Sequence, residues 1–123
     1  MTPGAHPFEE LESALLRIAP RRLVGLGSEA RRSDRGLLRA AGEVLPPDGS
    51  ELLLVVDQFE ELFTLVANED VRAGFLGCLA AAAADPRGRV RVVVTLRADF
   101  YDRPLHYRGI GEALAAGTHA LTP

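Results

Sequence analysis

An α/β fold with a parallel sheet follows from three features of the sequence. Two apolar runs, Leu52–Val56 and residues 90–96, read as strands, a helical stretch separates them, and the first run has no polar alternation. Unbroken runs of this kind belong to parallel sheets with helices on both faces, because a strand open to water on one side alternates polar with apolar residues. The connection is long enough for the crossover that parallel neighbours need, so strand, helix and strand make one βαβ unit.

The elements follow in order. Across residues 7–19 the apolar positions Phe8, Leu11, Leu15 and Ile18 recur at intervals of three and four, and Pro7 suits a first helical turn. Pro20 ends that helix. Residues 21–32 mix glycine and arginine without periodicity and read as a connector. Ser33 is a candidate cap for a second helix reaching about Val44, with Leu37, Leu38, Ala41 and Val44 on its buried side. Pro46, Pro47, Asp48, Gly49 and Ser50 then make a turn, and the first strand begins. Residues 58–66 and Glu69–Ala84 read as helical with a break near Asn68, and Val71, Phe75, Leu79 and the alanines form a narrow apolar face. Asp85, Pro86, Arg87 and Gly88 close this stretch, and the second strand follows. A polar turn at residues 97–103 and a helix at 104–116, stopped by Gly117, complete the reading.

Composition narrows the function classes. With 123 residues, 47% hydrophobic and 25% charged, the chain has the makings of a single globular domain, 1–123. Its 17 acids outweigh its 14 bases for a net charge of -3, which argues against a nucleic-acid partner. All the bases are arginine, so lysine chemistry is absent. The one cysteine, Cys78, excludes an internal disulfide and reads as packing. His6, His106 and His119 show no metal-ligand spacing. No stretch is long and apolar enough to span a bilayer and no export leader follows Met1, so the expectation is a cytoplasmic protein without a membrane partner.

Chemistry is expected where the strands end, since loops and helix N-termini converge there in open parallel sheets. The first strand runs into Asp57, Gln58, Phe59, Glu60 and Glu61; the second runs into Thr95, Leu96, Arg97 and then Asp99. An aspartate held by a rigid strand end offers the hard oxygen that Mg²⁺ prefers, and it equally suits capping of the following helix. Glu60 or Glu61 is placed to polarise a water, or simply to favour the positive end of a helix. Arg97 has the planar fork for a phosphate or for an ion pair with Asp57 or Asp99. A metal-dependent hydrolase built on Asp57, Glu60, Glu61 and Asp99 is a weaker reading, because no histidine lies near either strand end.

The phrase LLLVVDQFEELF at residues 52–63 resembles a Walker B segment, and VVVTLRADFY at residues 92–101 and PGAHPFEEL at residues 3–11 accompany it in order. Together they resemble the novel STAND NTPases, P-loop ATPases of bacterial signal transduction that often precede WD-repeat propellers. The resemblance implies a three-layer P-loop fold with the Walker B and sensor strands adjacent. It implies Asp57 as the acid linked to Mg²⁺, Glu60 or Glu61 as the water-orienting carboxylate, and Thr95 and Arg97 as sensor-strand contacts to ATP. Many members carry a second acid directly after the Walker B aspartate, where this chain has Gln58. The family's phosphate loop, G-x-x-x-x-G-K-[ST], is absent from a chain with no lysine. The expectation is therefore a partial NTPase domain lacking its first two strands. Its partners would be the rest of that domain and downstream repeat or effector modules, and alone it would bind ATP and Mg²⁺ poorly. The alternative is a non-catalytic interaction module derived from an NTPase core, with a partner strand added to the sheet.

Overall fold

The computed structural model describes residues 1–19 and 23–95. Its elements are α1 (Pro7–Leu16), α2 (Leu26–Arg31), α3 (Gly36–Val44), β1 (Leu52–Val56), α4 (Glu61–Thr64), α5 (Glu69–Ala84) and β2 (Val90–Val94). β1 and β2 pair in parallel, with Leu52 opposite Val90 and Val56 opposite Val94, and α4 and α5 make the crossover. The mixed helix and strand architecture with a parallel sheet agrees with the α/β expectation.

One apolar core joins the sheet to the helices. Leu52, Leu54 and Val56 of β1 share it with Phe8 and Leu11 of α1, Leu37 and Val44 of α3, and Phe75 and Leu79 of α5. Phe8 and Phe75 cross edge to face with centroids 5.5 Å apart, a geometry that adds to their area burial. Gly36 opens α3 where α2 ends, and a Cβ there would collide with the backbone oxygens of Glu29 and Ala30, so the two helices meet this closely only through glycine.

The sheet corrects one expectation. β1 is buried at Leu52, Leu54 and Val56, but Leu53 is 61% exposed and Val55 39%, and the neighbouring Val93 is 47% exposed. Among the described residues the helices cover one face of the sheet only. The unbroken apolar run promised cover on both faces, and the described residues provide half of it.

Other boundaries also shift. α1 stops at Leu16, leaving Ile18 half exposed beyond its end. The stretch read as a connector contains α2, entered through Gly25 at φ 78°, and Leu26 and Ala30 of α2 are fully buried. α3 starts at Gly36, and Ser33 makes no side-chain cap; its carbonyl accepts instead from the Gly36 amide at 2.9 Å. The helix expected at residues 58–66 shrinks to α4, because Gln58 has φ 54° and cannot continue a right-handed turn. α5 keeps its expected limits, with the Asn68 side chain accepting from the amides of Asp70 at 2.8 Å and Val71 at 3.2 Å. The helix expected at residues 104–116 lies outside the described residues. Among those residues, no helix is long and apolar enough to cross a membrane.

Candidate functional site

Parallel pairing in register sets the ends of β1 and β2 level, so the residues that leave each strand meet at one rim. Asp57 leaves β1 there and Thr95 leaves β2. Thr95 Oγ1 donates to Asp57 Oδ1, and the Gln58 amide donates both to Asp57 Oδ1 at 3.0 Å and to Thr95 Oγ1 at 3.1 Å. The left-handed backbone at Gln58 turns that amide back over the strand ends. Phe59 locks the turn: its ring is fully buried and its amide donates to the Thr95 carbonyl at 2.9 Å. A buried aromatic thus ties the exit of one strand to the exit of the other, which holds the Asp57 carboxylate in a defined orientation.

Every donor to the Asp57 carboxylate reaches Oδ1; among the described residues none reaches Oδ2. Asp57 itself is exposed. Glu60 and Glu61 follow within one turn. Glu61 Oε1 accepts from the Gly4 amide at 3.1 Å. Glu60 Oε2 is sealed from solvent and has no hydrogen-bond partner among the described residues, a costly state for a carboxylate oxygen. No ion pair among the described residues engages Asp57, Glu60 or Glu61.

The donor set suits Mg²⁺ better than a transition metal. No group of three or more His, Cys, Asp or Glu side chains among the described residues is disposed to hold a metal ion. An ion that keeps several waters and takes one or two carboxylates together with substrate phosphates needs no such cage. Asp99, the fourth residue of the metal-dependent hydrolase reading, lies outside the described residues.

The N-terminal segment reaches this rim as well. The Met1 nitrogen donates to the Val55 carbonyl at 2.8 Å, and the Asp57 amide donates to the Met1 carbonyl at 2.7 Å. That pair of bonds is the ladder pattern of a parallel neighbour on the edge of β1 opposite β2. The Gln58 turn, the Phe59 anchor and this edge contact all escaped sequence reasoning. The positive φ has no side-chain signature in glutamine, and the Met1 contact spans most of the described chain.

The remaining sequence-level candidates fall into two groups. Arg97, His106 and His119 lie outside the described residues. His6 is exposed ahead of α1 with no side-chain cap bond. Cys78 packs in the core, its Sγ donating to the carbonyls of Ala30 at 3.1 Å and Ser33 at 3.3 Å. Burial pushes its thiol up to about 11, which keeps it protonated and unreactive at neutral pH.

The sequence matches the family model described as Novel STAND NTPase 1 over residues 1–123. No curated protein and no solved structure matches it.

Proposed function

The chain belongs to the novel STAND NTPase family, and from that premise we propose that residues 1–123 are part of an ATP-binding and hydrolysing signal-transduction switch. In the complete module Asp57 holds Mg²⁺, Glu60 or Glu61 orients the attacking water, and Thr95 and Arg97 line the sensor side. Mg²⁺ bound with ATP would neutralise charge on the phosphates. Asp57 would hold the ion: Thr95 and the Gln58 amide engage one of its carboxylate oxygens and leave the other for a ligand. That half-occupied carboxylate at the end of β1 is the observation that carries the reading.

The phosphate loop would come from an upstream segment. Its backbone amides and lysine supply most of the grip on nucleotide, and a lysine-free chain has no substitute. The parallel-ladder contact of Met1 with β1 supports a further strand on that edge, in line with such a segment. Residues 1–123 alone are therefore expected to be inactive. The switch would act in the bacterial cytoplasm on attached WD-repeat or other effector modules, alternating between nucleotide-bound and released arrangements.

The test uses a protein extended upstream to include the phosphate loop. Asp57→Asn should lower its ATP turnover by at least about a hundredfold, given that losing even a supporting partner of a metal ligand costs roughly ten- to a hundredfold. Unchanged turnover removes Asp57 from the site. Calorimetric titration of residues 1–123 with ATP and Mg²⁺ should show no binding at micromolar concentrations, and micromolar affinity would overturn the need for a phosphate loop.

One observation favours a second reading. The open face at Leu53, Val55 and Val93, beside an outer edge of β1 that among the described residues is paired only by Met1, suits strand addition by a partner protein. A non-catalytic interaction module of this kind would behave alone as a cooperatively folded monomer or a defined oligomer.

A further inference from the structure

Two glutamates share one assignment in the proposed site, and their surroundings separate them. Glu61, the first residue of α4, accepts the Gly4 amide at 3.1 Å, with Gly4 in the left-handed region at φ 60°. Three residues earlier, the Met1 carbonyl receives the Asp57 amide at 2.7 Å and the Met1 nitrogen reaches the Val55 carbonyl at 2.8 Å. Residues 1–4 are thus fastened at one end to β1 and at the other to α4, bracing the turn that carries Asp57. Glu60 has no such duty. Its carbonyl serves the amides of Phe63 and Thr64, while its Oε2 has no donor among the described residues.

We infer that Glu61 is a positioning residue, which secures residues 1–4 and through the Met1 carbonyl steadies Asp57, and that Glu60 is the carboxylate that handles the water. The second half rests on the ATPase reading; the brace does not need nucleotide. In its role Glu60 takes a proton from a water as the water oxygen bonds to the terminal phosphorus of ATP. The bond from that phosphorus to the bridging oxygen breaks, giving ADP and inorganic phosphate, and the water's proton stays on the Glu60 carboxylate.

Glutamine in place of glutamate keeps an acceptor oxygen but cannot act as a base, and this separates the roles. In residues 1–123, hydrogen exchange at the amides of Gly4 and Asp57 should accelerate in Glu61→Ala and stay at the wild-type rate in Glu61→Gln and Glu60→Gln. Unaltered exchange in Glu61→Ala overturns the brace. In the protein that also carries the phosphate loop, Glu60→Gln should abolish turnover and Glu61→Gln should retain it. Glu61→Ala should raise the Mg²⁺ concentration for half-maximal rate about tenfold, as for loss of a partner that orients a metal ligand, with kcat recovered at saturating Mg²⁺. Loss of turnover in Glu61→Gln with Gly4 protection intact reverses the assignment. Absence of ATP hydrolysis in the wild-type extended protein sinks the ATPase reading and the role given to Glu60, and the exchange rates then decide the brace by themselves.

Discussion

Gln58 sits at φ 54°, the one non-glycine residue at positive φ among the described residues, and it directly follows Asp57. Strained backbone of this kind survives where surrounding contacts over-determine it, and here the Gln58 amide is shared between Asp57 and Thr95 while Phe59 is buried behind it. A β-branched side chain tolerates this conformation worst. Gln58→Val should cost about 1 to 3 kcal/mol in denaturant unfolding, and Gln58→Gly should stay within about 1 kcal/mol of wild type. Equal effects from both would place the strain elsewhere. A second residue-level effect depends on pH. Asp85 pairs with Arg35 at 2.8 Å, and that hydrogen bond, helped by the Arg87 amide, holds its carboxyl below the ordinary 3.8. A depressed carboxyl contributes stability that is present above the unfolded value and lost as pH falls through the folded one. Unfolding curves taken from about pH 5 down to well below 3.8 should therefore lose less stability in Arg35→Ala than in wild type.

At the scale of the element, α5 shows what makes a helix legible. It has length, an apolar face and a start signal, and Asn68 realises that signal with two cap bonds. Asn68→Ala should cost about 1 kcal/mol, read from the unfolding midpoint, and a neutral result would leave Arg72 as the main fastening at this end. Arg72 reaches back across the break, donating to the carbonyls of Leu62 at 3.1 Å and Val66 at 2.6 Å, and so satisfies backbone groups that α4 leaves open at its C-terminal end. α2 has none of the signals that reveal α5. It spans six residues, enters through a glycine and takes its stability from burying Leu26 and Ala30, a tertiary effect that local propensity does not record. The strands were legible as strands because Leu52–Val56 carries no turn former. Their cover was not, since an apolar run reveals a preference for burial and not which chain segment provides it.

For the whole molecule, the legible part of the site is the part that parallel register dictates: two apolar runs in register bring Asp57 and Thr95 level. What sequence left unresolved, the separation of Glu60 from Glu61, depends on residues 1–4 folding back across more than fifty positions to reach the strand end. The same architecture leaves an apolar sheet face and an outer strand edge uncovered among the described residues, and such surfaces promote association between chains. Residues 1–123 alone should therefore associate with rising concentration in sedimentation velocity. Leu53→Glu tests the cause, because position 53 lies opposite Arg91 in the parallel ladder. A glutamate there adds charge to the open face beside a cation, and it should shift the population towards monomer while leaving the helix-covered core, where Leu53 takes no part, intact. If the wild-type chain is a monomer at every concentration and melts cooperatively, the open face is no liability. The interaction-module reading then gains over that of an incomplete ATPase domain.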